Sequence, residues 1–98
     1  MSQNGNTFLS IVIPAFNEQA RIGPTLRKII QYCCGKDYSF EIIVVDDGSC
    51  DNTSQVVENM RDGKGGMIRL LRDKEHHGKG FAVKQGFMAA SGEYILFC

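Results

Sequence analysis

Apolar and polar positions along this chain follow two alternating patterns. Four short runs of consecutive apolar residues, rich in Ile and Val, occupy residues 8–15, 40–45, 67–71 and 94–98, and such runs are typical of strands buried on both faces. Between the runs, apolar residues recur at helical spacing. Strands joined through helices must be parallel. The pattern therefore predicts a βαβαβαβ order, an α/β fold whose Rossmann-like parallel sheet has helices on both faces.

The first two helices follow from the spacing of their apolar residues. The first spans residues 20–34 and should end at Gly35. The second begins near Asp51 or Asn52, either of which can cap it. A glycine-rich turn is predicted after it, over residues 62–66.

The third helix follows a polar loop that is predicted over residues 72–80. Several of the residues predicted to face the sheet are small, which allows the helix to lie close to the strands. The predicted buried side consists of Phe81, Ala82, Val83, Gly86, Phe87 and Ala90.

Three polar segments come directly after predicted strands and are the candidates for a functional site. They are residues 14–18 (PAFNE), 46–49 (DDGS) and 76–80 (HHGKG). In open parallel sheets, ligands bind beyond the carboxyl ends of the strands. Because all parallel strands point the same way, we expect the three segments to converge on one rim of the sheet.

Two adjacent carboxylates, Asp46 and Asp47, stand at the end of the second apolar run. A carboxylate in this position can accept a hydrogen bond from a nucleobase N–H or a ribose hydroxyl, while its neighbour caps the next helix or holds a loop. The two need not share a role, because they can point to different faces of the chain. Residues 46–49 are also consistent with a simple turn and helix cap, and Asn17 with Glu18 is also consistent with a cap for the first helix.

The segment HHGKG combines Gly78, Lys79 and Gly80 in front of a helix. Glycines let backbone approach an anion closely, and a helix N-terminus adds free N–H groups, so a phosphate or diphosphate is the ligand indicated. Neither a GxxxxGK[ST] loop nor a complete GxGxxG is present. The alternative for Lys79 is a solvated surface lysine, and His76 and His77 are interpreted as loop residues.

Composition and charge narrow the classes of function. Eleven basic and eleven acidic residues cancel, so no net field draws the chain to nucleic acid. The four cysteines form no CxxC pair and the two histidines are adjacent, so we predict free thiols and no zinc site. Residues 1–7 are a polar tail without signal-peptide features, and no apolar run reaches the roughly 18 residues that span a bilayer.

Together, SIVIPAFNE, EIIVVDDGSCDNT and HHGKGFAVKQGFMAASGEYILF resemble the family 2 inverting glycosyltransferases, which have the nucleotide-diphospho-sugar transferase fold. The pattern is most similar to the dolichyl-phosphate mannosyltransferases and glucosyltransferases, over residues 10–98. The resemblance implies that residues 8–98 form the N-terminal, donor-binding half of that fold. The implied reaction is transfer of a sugar from GDP-mannose or UDP-glucose to dolichyl phosphate, in protein glycosylation at the cytosolic side of the endoplasmic reticulum membrane.

The resemblance also implies roles for individual residues. The substrate-binding residues that it implies are Pro14, Phe16, Glu18, Val45, Asp46, Asp47 and Lys79. The first three would line the nucleotide pocket. Val45 and Asp47 would hold the base and ribose with Asp46 in support, and Lys79 would lie near the diphosphate.

In that family the fourth strand runs into a DxD-type motif that binds Mg²⁺ or Mn²⁺, and this sequence stops at Cys98, where the motif would begin. We therefore expect the donor-binding part of a longer enzyme, whose metal ligands lie beyond Cys98 and whose catalytic residues are unknown. Alone it is expected to be inactive and to self-associate through an uncovered sheet edge, and to reach a membrane only through other parts or a partner. Two other classes stay open, a different Rossmann-like nucleotide-binding domain and a non-catalytic interaction module.

Overall fold

The computed structural model describes residues 7–61 and 67–98 of the chain. Strands and helices alternate along these ranges, and they are β1 (Thr7–Ala15), α1 (Ile22–Cys34), β2 (Phe40–Asp47), α2 (Thr53–Arg61), β3 (Ile68–Asp73), α3 (Lys79–Ala89) and β4 (Gly92–Phe97). The strands form one parallel sheet in the order β3-β2-β1-β4. The predicted α/β fold is confirmed. The turn predicted at 62–66 lies outside the described residues, as does the predicted polar tail apart from Thr7, which opens β1.

Helices cover both faces of the sheet, as the unbroken apolar strands predict. On one face, α1 and α2 pack through Leu26, Ile30 and Val57 against alternate residues of β1 and β2. On the other face, Ala82 of α3 packs in a smaller cluster with Val12, Ile43 and Val45. Because side chains of a strand alternate between faces, each central strand contributes to both clusters.

Helix α3 lies so close to β1 that the large residues predicted for its buried side do not fit there. A β-carbon placed on Gly86 would be 2.2 Å from Cγ1 of Val12. Only Ala82 and Gly86 of α3 are buried, whereas Phe81 and Phe87 are exposed. The prediction that these two phenylalanines face the sheet is therefore wrong, because the close approach leaves room for small residues alone.

Helix α1 begins at Ile22, two residues later than predicted. The carbonyl oxygen of Glu18 accepts hydrogen bonds from the N–H groups of Arg21 (2.9 Å) and Ile22 (2.8 Å), which makes residues 18–21 a turn in front of the helix. Gly35 follows the last residue of α1, as predicted, and its N–H bonds to the carbonyl of Tyr32.

Strands β2 and β3 are longer than the apolar runs that predicted them. In the ladder, Asp46 pairs with Arg72 and Asp47 pairs with Asp73, so the two carboxylates are the last residues of a strand rather than the first residues of a loop. The predicted polar loop 72–80 is shortened at both ends, since β3 ends at Asp73 and α3 begins at Lys79. The carboxylates of Asp46 and Asp47 fit at the end of the ladder because they accept backbone N–H groups from neighbouring loops.

A buried carboxylate joins several elements beneath the end of α3. Glu41 of β2 is 8% exposed and accepts hydrogen bonds from Ser10 Oγ of β1 (2.6 Å) and from the backbone N–H of Ser91 (2.8 Å). Nη1 of Arg69 in β3 lies 3.1 Å from its other oxygen. Burial raises the pKa of Glu41, but these hydrogen bonds outweigh burial and hold the pKa below its ordinary value.

The four cysteines are free thiols, as predicted, and only Cys33 is buried. Within the described ranges, no helix has both the length and the apolar character needed to cross a bilayer.

Candidate functional site

The three polar segments converge, as predicted, on one cavity at the carboxyl ends of β1 and β2. This cavity, the rim pocket, has a volume of about 360 Å³. Its lining comprises Pro14, Ala15, Phe16, Glu18, Asp47, His76, Lys79, Ala82 and Cys98. Five of the predicted substrate-binding residues therefore line the rim pocket, while Val45 and Asp46 do not.

Asp47 is held from the side of α3. Its Oδ1 accepts the backbone N–H of His77 at 3.0 Å and its Oδ2 accepts that of Gly78 at 2.8 Å. Burial raises the pKa of Asp47, but the two N–H donors and the nearby histidines outweigh burial and hold the pKa below its usual range. Asp47 is therefore a carboxylate at neutral pH although its side chain is only 3% exposed.

Asp46 points to the opposite face of the sheet, towards α2. Its Oδ1 accepts the backbone N–H of Ser49 at 2.9 Å, and its Oδ2 accepts the hydroxyl of Ser54. The alternation of side chains along β2 thus keeps the two adjacent carboxylates apart. Asp46 shapes the turn that follows β2 and does not reach the rim pocket.

Val45 lies below the rim pocket instead of in its wall. Its side chain is 1% exposed and belongs to the same cluster as Ala82, which does line the pocket. Val45 can therefore affect a ligand only through the packing beneath it.

A series of hydrogen bonds ties the loop after β1 to the loop after β2. The backbone N–H of Asn17 donates to Ser49 Oγ (2.9 Å), and Asn17 Oδ1 accepts the N–H of Cys50 (2.8 Å). One residue further, the N–H of Glu18 donates to Thr53 Oγ1 at 2.9 Å. Asn17 has a φ of 54°, a left-handed conformation that asparagine tolerates better than most residues. These bonds hold the loop that forms this wall of the pocket in place without any ligand.

The interpretation of Asn17 and Glu18 as a cap for α1 is wrong at the side-chain level. Helix α1 has Arg21 at its N-cap and no side-chain cap hydrogen bond. Asn17 is used by the loop after β2, as described, and Glu18 Oε1 pairs with Nε of Arg21 at 2.7 Å. Asp51, one of the two residues predicted to cap α2, does bond the N–H of Thr53, at 3.0 Å.

His76, interpreted from the sequence as a loop residue, lines the rim pocket. Its ring lies on that of Phe16 with centroids 3.9 Å apart, and its Nδ1 lies 2.9 Å from Oδ2 of Asp47. Gly48 brings this loop close, because a β-carbon on Gly48 would lie 2.5 Å from the backbone of Glu75 and His76. Its φ of 77° also favours glycine. The only signal of this contact in the sequence was the glycine after the two carboxylates.

The glycine–lysine segment forms the start of α3. The N–H of Gly78 is taken by Asp47, so it is not available to an anion, and Gly78 is the N-cap residue of α3. The carbonyl of Gly78 accepts the N–H of Ala82 at 3.2 Å, which places the N–H groups of residues 79–81 in the open first turn of the helix. Lys79 is exposed at the wall of the rim pocket.

The described residues do not fit a divalent metal ion. In residues 7–61 and 67–98, no group of three His, Cys, Asp or Glu side chains is arranged to hold one. The carboxylates of the rim have other partners, since Asp46 and Asp47 accept backbone N–H groups and Glu18 pairs with Arg21.

A parallel sheet with a pocket at its carboxyl rim, walled by an acidic strand end and a glycine–lysine helix start, is the arrangement of α/β proteins that bind a ligand beyond the carboxyl ends of their strands. Residues 10–98 match the family described as glycosyl transferase family 2, and the chain belongs to that family. The family and the fold predicted from the sequence motifs are thereby confirmed.

Known relatives agree with this assignment. The chain is 39% identical over 97 residues to a dolichyl-phosphate beta-glucosyltransferase of Dictyostelium discoideum, covering 93% of this chain and 30% of that protein. Among solved structures, S. aureus TarS in complex with UDP-GlcNAc is similar with a TM-score of 0.80 and 27% identity, over 93% of this chain and 26% of that one.

A third similar protein was solved with a metal ion. It is glucosyl-3-phosphoglycerate synthase from Mycobacterium tuberculosis in complex with Mn²⁺, UDP and glucosyl-3-phosphoglycerate, with a TM-score of 0.69 and 28% identity over 96% of this chain and 33% of that one. The present chain spans about 30% of the length of the curated relative and a similar share of the two structures.

Proposed function

We propose that this chain binds the nucleotide-sugar donor of a glycosyltransferase that transfers a hexose to dolichyl phosphate. The observation that carries the proposal is the rim pocket, where an ionised carboxylate, an aromatic ring and a lysine face one cavity. Asp47 accepts an N–H of the base or a ribose hydroxyl, Phe16 offers a stacking surface, and Lys79 faces the diphosphate. Pro14 and Glu18 complete the wall, while Asp46 and Val45 support it from the loop and from below.

The similarity to a dolichyl-phosphate beta-glucosyltransferase favours UDP-glucose over GDP-mannose as the donor. We propose dolichyl phosphate as the acceptor, and the cytosolic side of the endoplasmic reticulum membrane, in protein glycosylation, as the place of the reaction. A phosphate acceptor is already ionised at neutral pH, so the reaction demands positioning of the two substrates more than a strong general base. Residues 8–98 form the donor-binding part in this proposal.

We further propose that the complete enzyme uses Mg²⁺ or Mn²⁺, since the synthase from Mycobacterium tuberculosis was solved with Mn²⁺. The described residues offer no fitting ligand group, so the part played by these residues is to bind and orient the nucleotide. No catalytic residue is assigned to them.

Ligand competition tests the proposal and separates it from the two other classes. Displacement of a fluorescent nucleotide from the intact protein by UDP-glucose, UDP, GDP-mannose and NAD should rank UDP-glucose or UDP first. Preference for NAD would identify a dehydrogenase-like nucleotide domain, and absence of all nucleotide binding would favour an interaction module. Transfer of glucose to dolichyl phosphate by the intact protein would complete the test.

The exposed Lys79 gives a sharper test of ligand orientation. If Lys79 faces the diphosphate, Lys79→Ala should weaken UDP binding by about tenfold, the loss expected for one charge-assisted contact, and leave uridine binding nearly unchanged. Lys84→Ala, an exposed lysine further along α3 that does not line the rim pocket, is the matched control. Equal losses for UDP and uridine would show that Lys79 does not contact the diphosphate.

A further inference from the structure

We propose that His76 is a built-in competitor for the nucleobase, and that a nucleotide must displace its imidazole to enter the rim pocket. This inference rests on the proposed function, because it concerns the site at which the donor would bind. Nothing in the sequence motifs assigns a role to His76. The structure places it on the two groups that a bound base would use, Phe16 and Asp47.

The first of these groups is the ring of Phe16. The imidazole of His76 and the phenyl ring lie with centroids 3.9 Å apart and planes inclined by 31°, a close, tilted stacking contact between aromatic rings. Bases stack on aromatic side chains in the same way. The face of Phe16 that is covered by His76 is therefore unavailable to a base until the imidazole moves.

The second group is the carboxylate of Asp47. Nδ1 of His76 lies 2.9 Å from Oδ2 of Asp47 and 3.2 Å from its carbonyl oxygen. Both oxygens are acceptors, so Nδ1 carries a hydrogen and donates it. A nucleobase imide or amide N–H would donate to the same carboxylate, which makes the imidazole a mimic of the base in both stacking and hydrogen bonding.

Of the three donors on Asp47, the imidazole is the one that can be exchanged. The other two are the backbone N–H groups of His77 and Gly78, which are fixed by the chain that enters α3. The side chain of His76 is 50% exposed, so rotation about its own bonds can carry it into solvent without breaking the core. The carboxylate meanwhile remains ionised and held in place for an incoming donor.

Displacement has a measurable cost. When only a fraction of molecules is open, the apparent dissociation constant equals the intrinsic constant divided by that fraction. A net contact of ordinary strength would keep roughly 70–90% of molecules closed. Removing the imidazole should then tighten nucleotide binding by about three- to tenfold.

The adjacent histidine provides a matched control. The ring of His77 lies on Phe81 with centroids 4.3 Å apart and does not line the rim pocket. Its link to Asp47 is made by the backbone N–H, which His77→Ala retains. Both substitutions remove one exposed imidazole from the same loop, and only His76→Ala clears Phe16 and Asp47.

Calorimetric titration with UDP and with GDP tests the proposal on the intact protein, comparing wild type, His76→Ala, His76→Phe and His77→Ala. His76→Ala should bind about three- to tenfold more tightly than wild type, and His77→Ala should bind like wild type. His76→Phe keeps the stacked ring and loses the N–H, so its affinity should fall between the two. In NMR spectra, the cross-peak between the His76 and Phe16 rings should disappear when UDP is added.

The possible results separate this inference from the proposed function. Binding by wild type with equal or weaker binding by His76→Ala, or a His76–Phe16 cross-peak that persists at saturation, overturns the role of His76 and leaves nucleotide binding intact. If none of the four proteins binds UDP or GDP, the proposed function fails and this inference fails with it.

Discussion

Asp47 illustrates how one side chain can be both a structural element and a candidate ligand contact. Its two carboxylate oxygens accept backbone N–H groups from residues 77 and 78, so the charge that would attract a nucleoside also holds the loop before α3. The two roles cannot be separated by removing the side chain. They can be separated by comparing binding with stability.

We expect Asp47→Asn to weaken binding of UDP-glucose by about tenfold or more, since a hydrogen bond to a charged group contributes about 1.5–3 kcal/mol. The amide of asparagine would also turn an N–H₂ group towards a backbone N–H, and the lost bond should lower the free energy of unfolding by about 1–3 kcal/mol. Calorimetric titration and urea unfolding measure the two effects. Asp73→Asn, the residue paired with Asp47 in β3, should leave the affinity unchanged. An unaltered affinity for Asp47→Asn would remove Asp47 from the proposed contacts.

For single residues, the sequence predicted which side chains belong to the candidate site better than it predicted which residues those side chains contact. The adjacent carboxylates and the glycine–lysine segment were recognisable because their chemistry is tied to position after a strand. The contact between His76 and Phe16 was not, because it joins residues 60 positions apart and depends on how closely Gly48 lets two loops approach. The sequence did not predict the hydrogen-bonded role of Glu41 for a similar reason, because its partners lie on other elements.

Helix α3 can lie close to β1 because Gly86, which faces Val12, has no side chain. Gly86→Ala should lower the free energy of unfolding by about 1–3 kcal/mol, the usual cost of forcing an extra carbon into a packed interior, because the new methyl group would meet Val12 at 2.2 Å. Urea unfolding followed by circular dichroism measures this loss.

Gly80 is the matched control within the same helix, since nothing lies within 4 Å of a β-carbon placed on it. Gly80→Ala should therefore be neutral or stabilising by up to about 1 kcal/mol, because alanine is the better helix former. Equal effects of the two substitutions would mean that α3 does not press on β1.

The bonds that Glu41 makes to neighbouring elements can be tested by measuring stability as a function of pH. The folded-state pKa of Glu41 is lowered, so its contribution to stability is present above the unfolded value of about 4.3 and is lost as pH falls through the folded pKa. Glu41→Gln should lower the free energy of unfolding by about 2–3 kcal/mol at pH 7, and the difference from wild type should shrink below about pH 4. Urea titrations between pH 3 and pH 7 would reveal this, with the exposed Glu93→Gln as the control. A constant difference across that range would contradict the ionised network.

At the level of elements, apolar patterning predicted the order and type of every strand and helix in the described ranges, because β1 and β2 are buried on both faces and the two outer strands also carry short apolar runs. It placed their ends less well. Residues 46–47 and 72–73 continue the ladder although they are charged. An apolar pattern cannot predict strand ends that are formed by charged residues. Phe81 and Phe87 were predicted to be buried because large apolar side chains usually face a core. Helix α3 instead lies so close to β1 that only small residues fit between them.

The sheet as a whole has one edge that stands out. Strand β4 pairs with β1 on one side, and its side chains Tyr94, Leu96 and Phe97 are 61%, 50% and 44% exposed. Exposed apolar edge strands invite pairing with another chain. We expect the 98-residue chain to self-associate, with a sedimentation coefficient that rises with concentration.

Leu96→Lys should reduce that association, since a charge on an edge strand opposes pairing. Met88→Lys places the same charge on α3, where the methionine is 74% exposed, and serves as the control. A chain that stays monomeric at all concentrations, or that responds equally to both substitutions, would show that the edge of β4 is not the contact.

The strand order β3-β2-β1-β4 also determines when each strand can pair during synthesis of the chain. Of the described strands, β1 leaves the ribosome first, yet one of its two neighbours, β4, leaves last, and the N–H of Gly92 donates to the hydroxyl of Ser10 across 82 residues. At typical rates of synthesis of about 5–20 residues per second, roughly 3–10 s pass between the emergence of β2 and that of β4. During those seconds the strand destined for an inner position has an open flank, and the nascent chain is at its most vulnerable to wrong partners.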